Sequence, residues 1–241
     1  MLKTKLIKFM TINRTIHKNI LIKILKDIYS DSYIGPFLGF KGGTAAYLFY
    51  NLNRFSVDLD FDLLNKEKED YVFEYIKKIM ENYGVLKQAV KKRYNFLYIL
   101  SYRDKEVDAQ NVKLEINRRE FGSKYKLMTY FGISMKVMVR EDMFAHKFCA
   151  MYERIGKTNR DIFDVWYFLQ NEWPVNRKII EERTGMKFDD FIKKCIDLLE
   201  KMSNQNILSG IGELLDEKQK DWVRTKLKSE TIFLLKLYIN S

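Results

Sequence analysis

The sequence is poor in the residues that mark most alternatives to a helix-rich enzyme. It has only 2 prolines and 11 glycines in 241 residues, too few for a fibrous or low-complexity chain, and few long loops are expected. His17 and His146 are the only histidines, which excludes an imidazole-rich zinc site; His146 is expected to be an exposed helical residue rather than a general base. Cys149 and Cys195 sit in no CxxC pair and beside no histidine, so both are expected to be small core residues, and their scarcity fits a reducing cytoplasm. No stretch approaches the roughly 18 apolar residues of a membrane span. The start, MLKTKLIKFM, is basic but lacks the apolar core and cleavage site of a signal peptide. A cytoplasmic protein with no membrane partner is expected.

Acidic residues are also in deficit, with 32 Asp and Glu against 43 Lys and Arg, a formal net charge of +11. Such a surface attracts polyanions, nucleic acid foremost, although a lysine-rich proteome would raise the charge of any chain. What is abundant is hydrophobic sequence, 46% of residues, enough to fill a real core.

Apolar residues at Ile12, Ile16, Ile20, Ile24 and Ile28 predict an amphipathic helix over 11–30. A strand is expected at 33–40, a glycine turn at 41–44 and a helix at 45–52. Residues 55–63, Phe-Ser-Val-Asp-Leu-Asp-Phe-Asp-Leu, alternate between apolar and polar, the period of a half-buried strand. Helical spacing returns over 66–83 and stops at Gly84. Strands are expected at 85–93, 95–103 and 111–117, and helices from about residue 140 onward, broken at Trp173-Pro174. The expected fold is α+β, a mixed sheet flanked by helices over 1–135 followed by a helical bundle over 136–241.

The chemistry concentrates in Gly42-Gly43-Thr44, separated by thirteen residues from Asp58-Leu59-Asp60-Phe61. Glycines let a backbone approach phosphate closely, a following helix offers unpaired N–H groups, and Thr44 adds a hydroxyl; with Lys41 they are the expected triphosphate cradle. Asp58 and Asp60, two apart on a strand, share a face and suit hard divalent cations, Mg²⁺ or Mn²⁺. Glu115, on a later strand between apolar neighbours, is the candidate third ligand, or else a solvated strand residue. Asp62 shares the same face and is expected to be a solvated end. Phe163, Trp166, Tyr167 and Phe168 read as packing rather than as a base-stacking platform.

The glycine turn, helix and Asp-x-Asp strand resemble the nucleotidyltransferase superfamily of DNA polymerase beta type, with Thr44 where Ser is usual. Within it, Arg54-x-Ser56-x-Asp58-Leu59-Asp60-Phe61 is similar to the first motif of the AbiEii/AbiGii toxin group. The later block Arg140–Ala150, Glu153-Arg154 and Asn159-Arg160-Asp161-Ile162-Phe163-Asp164 resembles its helical motifs; the resemblance spans roughly 38–170.

Lys147, on an otherwise apolar stripe, is expected to give a positive charge to the triphosphate. Asp161 and Asp164, one helical turn apart, are expected to align the acceptor, a metal-bound water or Lys147, with helix capping an equal alternative for Asp161. Arg54 and Ser56 are expected to support phosphates or the turn, and Arg160 to pair with Asp164 or near Asp58. The resemblance implies a bacterial toxin–antitoxin or phage-defence toxin that moves a nucleoside monophosphate from a nucleoside triphosphate to an acceptor, RNA at a tRNA 3′ end in some relatives, with a cognate antitoxin. A nucleotide-binding module acting through a protein or RNA partner, and transfer to a protein or small-molecule acceptor, stay open.

Overall fold

In the computed structural model, which describes residues 13–104 and 107–239, the first helix is α1 (Arg14–Ser30), capped by Asn13, whose side chain accepts from the Ile16 N–H at 3.2 Å. The expected first turn at Thr11 and Ile12, and the basic start, lie outside the described residues. Then come β1 (Leu38–Lys41), α2 (Gly42–Phe49) and β2 (Leu59–Leu63). β1 begins later than its apolar run because Pro36 sits in a 3₁₀ turn over Gly35–Phe37. β2 also begins late. Residues 55–58 lie outside its ladder, and the Phe55 N–H goes to the Leu214 carbonyl at 3.0 Å instead.

After α3 (Glu69–Glu81) come β3 (Val85–Lys91), β4 (Asn95–Asp104), β5 (Val107–Asn117), β6 (Tyr125–Tyr130) and β7 (Ile133–Met138). The β6–β7 hairpin was not expected from the sequence. Its turn is Phe131-Gly132, both at positive φ (47° and 77°), the geometry of a two-residue hairpin made without the usual Asn-Gly signal. β7 runs on to Met138, so the expected domain boundary after residue 135 falls inside a strand. The helices that follow share one continuous core with the sheet.

The strands form one mixed sheet in the order β3-β4-β5-β2-β1-β7-β6, with β2–β5 and β1–β7 parallel and the other pairs antiparallel. Alternation sorts β2 and β5 into two faces. Leu59, Phe61, Leu114 and Ile116 are buried on one, against α1 and α3; Tyr29 of α1 meets Phe61, and the Tyr98 hydroxyl donates to the Phe73 carbonyl of α3. Asp60, Asp62, Lys113, Glu115 and Asn117 occupy the other.

That second face looks toward α4 (Arg140–Arg154) and α5 (Arg160–Gln170), behind which lie α6 (Arg177–Thr184), α7 (Phe188–Lys201), α8 (Glu217–Trp222), a π-helical stretch (Val223–Leu227) and α9 (Lys228–Ile239). Aromatic pairs knit them, Phe144 stacking on Phe148 at 5.6 Å and Phe168 on Trp173 at 4.0 Å. Cys149 and Cys195 are free and buried here, as expected. No helix among the described residues is long and apolar enough to cross a membrane.

Candidate active site

Parallel pairing of β2 with β5 sets Asp60 beside Glu115, and antiparallel pairing with β1 sets Lys41 on the other side of Asp60. One row across three strands therefore opens into a cleft of about 410 Å³, closed by α4 and α5. Its lining is mostly basic: Lys41, Lys113, Arg119, Lys147, Arg154, Arg160 and Arg183 outnumber Asp60, Glu115 and Glu153. The carboxylates are charge-balanced by two of these. Lys113 Nζ lies 3.3 Å from Glu115 and 3.8 Å from Asp58, and Arg160 lies 3.3 Å from Asp58. Burial and the neighbouring Asp60 charge hold the Asp58 carboxyl above its usual range despite Lys113 and Arg160. Burial works to lower the Lys113 ammonium, and Asp60, Asp58 and Glu115 together outweigh it and raise it.

The glycine turn fits around this row. Gly42 has φ +79°, and a Cβ there would run into the Asp60 carboxylate; a Cβ at Gly43 would stand 2.9 Å from both Arg54 Nη2 and Ser56 Oγ. Thr44 and Ser56 do not face the cleft as expected. Both are buried, and the Thr44 hydroxyl lies 2.9 Å from Ser56 Oγ and bonds to the Asp58 carbonyl, where it holds the backbone that presents Asp58. Asp62 is no solvated end either: Lys41 (2.5 Å), Asn117 (2.7 Å) and Tyr125 (2.5 Å) all donate to it. Burial would raise its carboxyl, but Lys41, with Tyr125, wins and lowers it.

A glycine turn that excludes a Cβ, paired aspartates and a cleft with mainly basic charges lie together. Residues 23–230 match the family model of the nucleotidyl transferase AbiEii toxin, type IV TA system. The chain belongs to the AbiEii nucleotidyl transferase toxin family. Among solved structures it is similar to JHP933 from Helicobacter pylori, at 21% identity and TM-score 0.63 over 94% of this chain and 92% of that one. The nucleotidyltransferase toxin MenT4 from Mycobacterium tuberculosis matches at 17% identity and TM-score 0.57, covering 92% and 83%. An antigenic nucleotidyltransferase-like protein from Paracoccidioides brasiliensis matches at 15% and 0.52, covering 75% and 87%. No curated protein matches.

In this AbiEii-family chain the helical motif residues form a buried charge network behind the cleft. Asp164 is held by Arg54 through Nε (2.5 Å) and Nη2 (2.7 Å) and by Lys147 (2.7 Å). Asp161 takes Lys147 at 3.2 Å and Arg154 at 2.8 Å. Both aspartates are fully buried, so neither reaches the acceptor, and Asp161 does not cap α5, whose N-cap is Asn159. Arg54, expected near phosphate, is likewise buried and committed to Asp164 and the Phe55 carbonyl. What this network presents to the cleft is Lys147 and Arg154. Arg160 pairs with Asp58 rather than Asp164.

Sequence reasoning missed Lys113 and Asn95, which donate to Glu115, and both histidines. Lys113 stands two residues before Glu115 on the same face of β5, so the strand period that flagged Glu115 would have flagged it too. His17 is fully buried. Its Nε2 lies 2.9 Å from the Val57 carbonyl and its Nδ1 2.7 Å from the Tyr102 hydroxyl, so Nε2–H donates and Nδ1 accepts, bracing the residue before Asp58. His146 is not exposed: burial, with Lys41 and Arg183 nearby, pushes it down to about 3. Arg183 can only donate to its Nδ1 (2.9 Å), so Nε2–H donates to Ser123 at 2.7 Å.

Asp58 and Asp60 fit a divalent ion by chemistry: two hard carboxylates stand two residues apart, one just before β2 and one on it, close enough for the Asp60 charge to act on Asp58. Among the described residues no three His, Cys, Asp or Glu side chains converge on one point as they stand, because Glu115 is turned to Asn95 (2.7 Å) and Lys113. Glu115 could join only by exchanging those partners.

Gly42→Ala is expected to weaken activity at least tenfold, because its methyl group displaces Asp60, on top of about 1–2 kcal/mol of backbone strain. Gly132→Ala, also at positive φ but with open space around its Cβ, is expected to carry the strain alone. Activity and thermal midpoints of the two variants separate displacement from strain.

Proposed function

We propose that this chain transfers a nucleoside monophosphate from a nucleoside triphosphate to an RNA hydroxyl, at a tRNA 3′ end, as the toxin of a pair with a cognate antitoxin. The observation that carries the reading is the row Lys41, Asp60, Glu115 opening, beside Gly42, into a cleft whose charged lining is mainly cationic. A cationic small-molecule acceptor would need an acidic pocket, and this one is basic.

Asp58 and Asp60 would hold Mg²⁺ or Mn²⁺, with Glu115 as third ligand; the ion when bound supplies Lewis-acid stabilisation of charge on the transferring phosphoryl group. Gly42, which lines the cleft, lets the triphosphate approach the start of α2, whose first N–H groups lack helical partners, while Gly43 packs on Arg54 and Ser56. Lys147 and Arg160 add fixed positive charge from the opposite wall. The acceptor hydroxyl attacks the α-phosphorus in line and pyrophosphate leaves, so the protein acts by positioning and electrostatics. Lys113 balances the carboxylates until substrate and ion arrive.

The test incubates the purified protein with total RNA, Mg²⁺ and each α-labelled nucleoside triphosphate in turn, alongside Asp58→Ala/Asp60→Ala. Label on an RNA band with the wild type alone is expected, and names the nucleotide. Nucleotide binding without RNA labelling would overturn the RNA acceptor.

A further inference from the structure

One rim of the cleft is an unbroken run of guanidinium groups and aromatic rings. Arg93 lies 5.0 Å from the Tyr94 ring centroid, Arg119 lies 5.4 Å from Tyr94 and 5.6 Å from Phe121, and Arg183 lies 5.3 Å from Phe121. Tyr94, Arg119 and Arg183 line the same cleft as Asp60, yet Tyr94 is 47% exposed.

The run is held in shape. Arg93 and Tyr94 form the turn between β3 and β4, closed by the Lys92 N–H donating to the Asn95 carbonyl at 2.8 Å. Arg118 fastens this turn from below: its guanidinium donates to the carbonyls of Lys92 and Arg93, and its N–H to that of Tyr94 at 2.8 Å. Arg119 is steadied by Asn117 at 3.1 Å, and Arg183 by His146 and Glu153. A turn with its carbonyls occupied and its side chains outward loses little further freedom on binding.

We propose that this rim is the track of the acceptor strand: a single-stranded RNA end stacks a base on Tyr94 and lays its phosphates along Arg93, Arg119 and Arg183, which leads its terminal hydroxyl to Asp58 and Asp60. The inference rests on the RNA-acceptor reading above. Alternating ring and cation is the surface that single strands use irrespective of sequence, bases on the rings and phosphates on the guanidiniums. Four successive contacts outreach one nucleotide, which favours a strand over the base of the incoming triphosphate. In the reading above the triphosphate has contacts of its own, at Gly42 and Lys147.

The test measures binding of a short fluorescent single-stranded RNA with a free 3′ hydroxyl to the full chain, silenced by Asp58→Asn/Asp60→Asn so that binding is read without chemistry. Tyr94→Ala should weaken binding about tenfold while Tyr94→Phe stays within about twofold. Arg93→Ala should flatten the slope of log affinity against log salt by about 0.7. In the otherwise wild-type chain these changes should raise KM for RNA and leave KM for the nucleoside triphosphate unmoved. Unchanged RNA binding in Tyr94→Ala, or a rise in the triphosphate KM alone, overturns the proposal, the latter making Tyr94 a platform for the donor base. If the strand binds through Tyr94 but the wild type labels no RNA, the transfer reading fails and the RNA track stands. If the wild type labels RNA and the Tyr94 and Arg93 variants do so equally well, only the track fails.

Discussion

Asp60→Asn is expected to reduce nucleotide transfer by on the order of 10³-fold while leaving the thermal midpoint nearly unchanged. The small stability effect follows from the local ion pairs. Among the described residues Lys113 and Arg160 pair with Asp58 and Glu115 and not with Asp60, so neutralising Asp60 strands no partner. The amide keeps the shape that fits beneath Gly42. A carboxylate that turnover needs and stability does not is one placed for function. Single-turnover transfer at saturating triphosphate, with calorimetry of the same sample, checks both halves. A midpoint lowered by several degrees would instead make Asp60 a structural residue and remove the basis for its proposed role.

For Asp164→Ala the larger loss is in stability. The carboxylate is fully buried between Arg54 and Lys147, and without it the Arg54 guanidinium keeps only the Phe55 carbonyl. Breaking one side of such a pair costs about 3–5 kcal/mol, which for a chain of this size lowers the midpoint by roughly 10 °C. Arg54→Met/Asp164→Leu is expected to recover much of it, since neither charge is then stranded.

The pair also sets an acid limit. Burial alone would raise the Asp164 carboxyl, but Arg54 and Lys147 hold it well below the usual carboxylate range. Its contribution is therefore fully present above the unfolded value, about pH 4, and is lost as pH falls toward the lower folded value. Thermal melts of wild type and Asp164→Asn should differ by a constant amount from neutral pH down to about pH 4 and converge below it. Convergence already at neutral pH would show the pair to be energetically silent.

How far the sequence could be read depended on whether a feature is local. Asp60 and Glu115 were legible because period-two alternation marks one face of a strand, and parallel pairing needed only to bring the two strands together. Gly42 was legible because glycine before a helix and after a strand signals a backbone approach. Asp62 obeys the same alternation as Asp60 and was misjudged, because its burial comes from Tyr125 on the β6 strand, itself unrecognised. β6 is an edge strand with several exposed side chains, so its hydrophobic pattern is faint. Arg54 and Asp164 lie 110 positions apart, and no local period announces such a partner. His146 looked exposed because its cover, Arg183 and Ser123, comes from elsewhere in the chain.

The sheet order has a consequence for synthesis. β1, which leads into Gly42, takes β7 as one of its neighbours, and Arg54, shortly before β2, is neutralised by Asp164 of α5. A chain emerging from the ribosome thus carries its aspartates long before it carries the elements that hold them in place. A nascent or C-terminally truncated copy that ends before α5 is expected to be inert, so a cell making this protein meets its activity only once translation has passed that helix.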